Sequence, residues 1–216
     1  MIVLNFKTYE QGTGKKGLEL AQVANTVAKE TGKEIVLAVQ TADLYPISRA
    51  VSIPVFAQHI DPILFGNNTG SLLPEAAKAA GASGTIINHA ERRTGFIEIK
   101  KTIERCKDLG LKSLVCVGTI ENAQNLIGFK PDYMAFEDPE LIASGKSIAS
   151  EQPQKVKAFV HLLENSRTIP LCGAGVSTQE DVKKSQELGT KGVILASAVL
   201  KAKDPKEALR GIAAGL

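Results

Sequence analysis

Eight short apolar runs, rich in β-branched residues, recur along the chain; each leads through a loop into a stretch rich in Ala, Lys, Glu and Leu. The runs are residues 2–4, 34–39, 54–57, 84–88, 113–117, 133–136, 169–172 and 192–195. They are continuous rather than alternating, which predicts strands buried on both faces of a parallel sheet. Parallel neighbours need crossover connections, and the intervening stretches read as helices. Leu20, Val23, Ala24 and Val27 fall at the i, i+3, i+4, i+7 spacing of one buried face, as do Ile99, Ile103, Cys106 and Leu109 approximately, and Val156, Phe159, Val160 and Leu163 most clearly. Helix starts are marked by Thr119, and by Thr178 with Asp181 as a capping box. Stops are marked by Gly32, Gly81, Gly110 and Gly189.

Eight such units in 216 residues average 27 residues each, with no composition break that would mark a linker. That predicts a single (β/α)8 barrel domain over residues 1–216, at the short end of the size range for this architecture. An open doubly wound sheet is the alternative, but it usually carries Gly-x-Gly-x-x-Gly after its first strand. Here Asn5-Phe6-Lys7 occupies that place, and the fingerprint occurs nowhere in the chain.

Composition narrows the classes of function. The chain is 44% hydrophobic and 23% charged, enough apolar material for a large core. The longest nearly apolar run, residues 193–200, includes a serine and falls far short of the roughly 20 residues a membrane span needs. The N-terminal stretch lacks the basic start and long apolar core of a secretory signal. The three cysteines, Cys106, Cys116 and Cys172, form no Cys-x-x-Cys pair and read as free thiols in a reducing cytoplasm. A net charge of +3 spread along the chain, 5% aromatics and no tryptophan argue against nucleic-acid binding.

In a barrel the chemistry gathers at the C-terminal ends of the strands. Those ends carry Asn5 and Lys7 on the first strand, His89 then Glu91-Arg92-Arg93 on the fourth, Glu137 on the sixth, Gly173-Ala174-Gly175 on the seventh and Ala196-Ser197 on the eighth. Small-residue loops let backbone N–H groups approach an anion, and the loops after strands seven and eight are the usual phosphate cradle of barrels. Gly-Ala-Gly alone is also a plain turn. His89 ends a strand ahead of a helix start, where a neutral imidazole could donate to a carbonyl oxygen. A lone histidine is otherwise structural, and the Glu-Arg-Arg cluster a surface ion-pair group. Glu137 follows an apolar run, where a carboxylate is costly unless used or paired, with Lys7, Arg92 or Arg93 as the possible partners. Residues 138–147 exceed the about 2–6 residues of a normal barrel connection. They have a stiff start and a small-residue middle, as a lid requires, although surface loops also tolerate length.

Taken together, Asn5-Phe6-Lys7, Asn88-His89-Ala90-Glu91-Arg92-Arg93, residues 136–145, Cys172-Gly173-Ala174-Gly175-Val176 and residues 193–197 resemble the triosephosphate isomerase family in its short archaeal form. The motifs run in the family's order along the whole chain. The resemblance implies a TIM barrel and an isomerase that interconverts glyceraldehyde 3-phosphate and dihydroxyacetone phosphate in glycolysis and gluconeogenesis. It implies Glu137 as the base, His89 as the electrophile and Lys7 as the positive group for substrate and enediolate. Asn5 is the implied polar neighbour, and Ile142, Ala143, Gly175, Ala196 and Ser197 the phosphate-binding positions. A neutral histidine with a glutamate base is the general pattern known for this enzyme. No metal or organic cofactor is implied, and the sequence offers no metal-ligand cluster. Residues 59–70, with Ile63, Leu64 and Phe65, resemble the loop that reaches into a neighbouring subunit, so a homo-oligomer, dimer or tetramer, is expected.

Some positions depart from the family. Asp138 stands where a proline commonly follows the glutamate, which implies a looser hinge. Ala143-Ser144 replaces Gly-Thr, Ala90 replaces a serine, and Ala196-Ser197 replaces the Gly-Gly of many members. Two other readings of the same residues are a barrel aldolase with Lys7 as its Schiff-base lysine and a non-catalytic phosphometabolite-binding protein.

Overall fold

The computed structural model describes residues 1–142 and 145–216. Among them, eight parallel strands close into a barrel in chain order: β1 Ile2–Asn5, β2 Ile35–Val39, β3 Val55–Ala57, β4 Gly84–Ile87, β5 Lys112–Val117, β6 Tyr133–Phe136, β7 Ile169–Cys172 and β8 Val193–Leu195. Closure comes from β1, which pairs Ile2 with Ile35 on one side and with Val193 on the other. All eight strands coincide with the expected apolar runs, and the closed ring, in which each strand pairs its neighbours in sequence and β8 returns to β1, excludes the open doubly wound sheet.

The two-faced burial behind those runs is explicit in the packing. Val3, Phe56, Ile86, Leu114, Ala135 and Ile194 belong to a cluster built almost wholly of strand residues, the filling of the barrel. Their neighbours in sequence, such as Ile2, Leu4, Val115 and Phe136, join a larger cluster with the helices outside. Most strand residues are therefore apolar whichever way they point, and a period-2 pattern has no reason to appear. Low in the barrel, Phe56 lies across Gly84, where a Cβ would come within 2.6 Å of its ring.

The outer layer comprises α1 Gly14–Thr31, α2 Thr41–Ala50, α3 Pro74–Ala79, α4 Phe96–Leu109, α5 Ile120–Ile127, α6 Ile148–Glu151, α7 Pro153–Leu163, α8 Gln179–Glu187, α9 Ser197–Leu200 and α10 Pro205–Ala213. The expected caps form. Thr119 accepts from the Asn122 N–H, Thr178 and Asp181 make a reciprocal capping box, and Gly32 and Gly110 end α1 and α4 in the left-handed conformation. One expectation fails. The helix after β4 begins at Phe96 rather than directly behind His89. The stretch between instead turns tightly, with Asn88 Oδ1 accepting from the Thr94 N–H at 3.1 Å and the Arg93 guanidinium donating to the Asn88 carbonyl at 3.2 Å. No helix among the described residues is long and apolar enough to cross a membrane.

Two carboxylates away from the barrel mouth fasten the frame. Asp132 at the entry to β6 accepts from the Ser113 N–H and hydroxyl, both at 3.0 Å, and from the Lys112 ammonium at 2.7 Å. Burial pushes its carboxyl upward, but these donors outweigh that and hold it below the ordinary carboxylate range. Burial likewise raises Asp181, and the N–H groups of Ser177 and Thr178 with their hydroxyls bring it below normal. A carboxylate with a lowered folded pKa stabilises the fold above its unfolded pKa, and that contribution fades as pH falls through the folded value. Denaturant titrations of the wild type from pH 7 down to pH 2 should therefore show stability falling at the acid end. Asp132→Asn and Asp181→Asn should each lower stability at pH 7 and make the remaining acid dependence shallower.

Candidate active site

The barrel opens at the strand C-termini onto a cavity of about 170 Å³, lined among others by Asn5, Lys7, His89, Glu137, Gly175 and Ser197. Ile142 and Ala196 also line it. Every predicted site residue therefore meets at one mouth except Ala143, which lies outside the described residues. Among the described residues, three of the four non-glycine positions with positive φ are found here too: Lys7 at 48°, Asn88 at 59° and Ala174 at 64°. Such conformations cost on the order of 1–3 kcal/mol and persist where the surroundings impose them, commonly at active sites.

Each side chain is placed by local structure. Lys7 follows β1; its backbone N–H donates to Asn5 Oδ1 at 2.9 Å, and its ammonium donates to Glu91 Oε1 at 2.6 Å. His89 follows β4, and its Nδ1 accepts from the Glu91 N–H at 3.2 Å. An accepting Nδ1 leaves the ring proton on Nε2, which faces the cavity. Glu137 follows β6, its backbone N–H bonded to the Val117 carbonyl at 2.9 Å. Its carboxylate enters the same mouth two strands along from His89, with Oε2 3.8 Å from His89 Nε2. Glu137 is 6% exposed and His89 8%.

Glu137 is not paired with the cations proposed from sequence. Lys7 takes Glu91, Arg92 lies 3.7 Å from Asp61, and Arg93 donates to the Asn88 carbonyl. Glu137 Oε2 is buried and has no hydrogen-bond partner. A buried unsatisfied carboxylate oxygen is costly, and in a native protein such an atom calls for a reason. Room for it comes from Gly173, where a Cβ would meet Glu137 Cγ at 2.4 Å and Oε1 at 2.6 Å. Gly175 is similarly crowded, its hypothetical Cβ 1.9 Å from the Lys146 carbonyl oxygen, so the loop after β7 packs directly on the segment that follows Glu137.

On the β8 side, Ser197 and Ala198 line the cavity and form the first turn of α9, where N–H groups have no intrahelical acceptor. With the Gly175 loop they present backbone donors to an anion, close to the Lys7 ammonium. Among the described residues no group of three or more His, Cys, Asp and Glu could hold a metal ion. A Schiff-base lysine requires a desolvated amine, whereas the Lys7 ammonium is ion-paired.

Sequence reasoning missed several members of this site. Gln58, just past β3, donates to the Lys7 carbonyl at 2.9 Å and to Asn5 Oδ1 at 3.3 Å, holding the Lys7 turn in place. Its position at a strand C-terminus was the available signal. Glu91 as the partner of both Lys7 and His89, and Tyr9 as part of the cavity wall, carried no motif-level signal.

The family model for triosephosphate isomerase matches residues 1–213. The chain belongs to the triosephosphate isomerase family. It is 46% identical over 211 residues to the triosephosphate isomerase of Methanobacterium bryantii, covering 97% of this chain and 93% of that protein. It is 44% identical over 212 residues to that of Methanocaldococcus jannaschii, covering 97% of each. The crystal structure of triosephosphate isomerase from Bartonella henselae superposes with a TM-score of 0.70 over 96% of both chains at 24% identity, a likeness of fold.

Glu137 sits beside two of the three cysteines. Burial pushes the Cys172 thiol up to about 12, with the Glu137 charge adding to it. Burial also raises Cys116 well above the ordinary thiol value, helped by the Glu137 charge and by a hydrogen bond to that carboxylate. Burial takes Cys106 to about 12. Since the thiolate is the nucleophile, native protein at pH 8 should resist iodoacetamide, and all three cysteines should alkylate together only in denaturant. Mass spectrometry reads the result; rapid single alkylation of folded protein would contradict it.

Proposed function

We propose that this chain interconverts glyceraldehyde 3-phosphate and dihydroxyacetone phosphate through an enediolate. The observation that carries the reading is the buried, unbonded Oε2 of Glu137 facing His89 Nε2 across 3.8 Å. A substrate lying over the pair in the cavity would give that oxygen a carbon-bound proton to take, and the Nε2–H a carbonyl oxygen to polarise. Once the hydroxyl proton has passed from one enediolate oxygen to the other, the same carboxyl returns its proton to the neighbouring carbon, so one carbon base serves both halves of the reaction. The Lys7 ammonium stabilises the negative charge that builds on the enediolate, and Asn5 supports the turn that places it. The phosphate rests on the N–H groups of the Gly175 and Ser197 loops, with Ile142, Ala143 and Ala196 completing its surroundings. Excluding water there protects the intermediate, because an exposed enediolate can expel its phosphate.

No resident metal or organic cofactor enters this mechanism. The substrate class places the protein in glycolysis and gluconeogenesis, in the cytoplasm. The loop 61–70 supports a homo-oligomer. Leu64 is 65% exposed and Phe65 77%, a costly display for a monomer and an apt one for a neighbouring copy. The whole chain, residues 1–216, acts as one barrel domain.

A coupled assay with either triose phosphate tests the reading, and the wild type should turn both over. Glu137→Asp withdraws the carboxylate, and kcat should fall by about 10²–10⁴, the usual worth of a positioned general base. His89→Gln should lower kcat with little change in KM, because the bond to the carbonyl oxygen strengthens chiefly in the transition state. Full activity in Glu137→Asp would place the base elsewhere.

A further inference from the structure

Glu137 Oε2 has no hydrogen-bond partner, so apart from the Cys116 thiol beside it the carboxylate takes its direction from its backbone and its packing. Both neighbours of Glu137 are pinned to the same helix. On one side Phe136, the last residue of β6, stacks on Phe159 of α7 with ring centroids 5.3 Å apart and planes 19° off parallel. On the other, Asp138 Oδ2 accepts from the Gln152 side-chain amide at 2.8 Å, with the Lys155 ammonium 3.8 Å away. Asp138 Oδ1 meanwhile accepts from the Glu140 N–H at 3.0 Å and caps the single 3-10 turn Pro139–Leu141. Gln152 sits at the α6–α7 junction, and its own carbonyl accepts the first bonds of α7, from the Lys155 and Val156 N–H groups. The expected loosening of the hinge by Asp138 is thus not what the side chain does; it ties the exit of β6 to the start of α7.

We propose that Asp138 and Gln152 form a positioning pair that, with the Phe136–Phe159 stack, holds the backbone on either side of Glu137 against α7 and so sets the direction of its carboxylate. Neither residue touches substrate. This role rests on the isomerase reading above. Losing the tie frees the backbone one residue from the reacting carboxyl, and even small misplacement of a reacting group slows chemistry far more than it weakens binding.

The test is steady-state kinetics on Gln152→Leu, Gln152→Lys, Asp138→Ala and the Asp138→Ala/Gln152→Leu double variant, with inorganic phosphate as a competitive probe of the anion cradle. Gln152→Leu and Asp138→Ala should each lower kcat roughly tenfold, about 1.4 kcal/mol of barrier, with KM and phosphate inhibition unchanged. The double variant should be no worse than the poorer single one. Gln152→Lys, which keeps a donor for Asp138, should stay near wild type. A Gln152→Leu kcat within twofold of wild type, multiplying effects in the double variant, or a Gln152→Lys as impaired as the leucine would each overturn the pair. If Gln152→Leu fails to fold, Asp138→Ala decides by the same kcat criterion. An inactive wild type would overturn the isomerase reading and the pair with it, whereas an active wild type with unimpaired variants overturns the pair alone.

Discussion

A carboxylate oxygen buried without a hydrogen bond is an expense that a folded chain tolerates only when the rest of the structure holds it there. Here Gly173 yields the space for the Glu137 side chain, and the Val117 carbonyl fixes its backbone. The barrel sets β4 only two places from β6, which brings His89 within reach. Relaxing any of these would let the carboxylate find water or a cation and become an ordinary salt-bridge partner. The cations that could have neutralised it are engaged elsewhere, Lys7 by Glu91 and Arg93 by the Asn88 carbonyl. The site is therefore an arrangement of withheld partners as much as of supplied ones.

The same economy explains the backbone at the mouth. Lys7, Asn88 and Ala174 each adopt the left-handed region immediately past a strand, where the chain must turn outward while keeping a side chain or carbonyl directed inward. Gln58 and Asn5 hold the first of these turns, and the Asn88 side chain holds its own by accepting from Thr94 and donating to the Cys116 carbonyl at 3.0 Å. The strain is small beside the burial of the strands behind it, which anchor the turns from within.

The barrel was legible because its strands are apolar on both faces, and continuous runs such as 35–39 and 114–117 have few other uses in a chain of this length. Caps at Thr119 and Thr178 were legible because their hydrogen bonds are local. The site was legible as far as residue type and strand ending could carry it, which reached Lys7, His89, Glu137 and the two small-residue loops. What stayed hidden depends on distance in sequence. Gln58 meets Lys7 across 51 positions, and Glu91 meets it across 84. The helix expected directly after His89 was misplaced because the Asn88 side chain satisfies the local backbone with a turn. The tie at Asp138 stayed hidden because it, too, depends on distance in sequence. An aspartate in a loop reads as mobile until its acceptor oxygens are matched to donors further along the chain, in this case fourteen residues on.

The ring of Phe56 resting over Gly84, with Val3, Ile86, Leu114 and Ile194 packed around it, gives the barrel a sealed floor. The vessel is a cup rather than a tube. Whatever enters must leave by the same rim, so arriving and departing molecules take turns at one doorway and none can be pushed out from behind. Solvent, too, can reach the reacting atoms only from above, and shielding them requires covering a single opening.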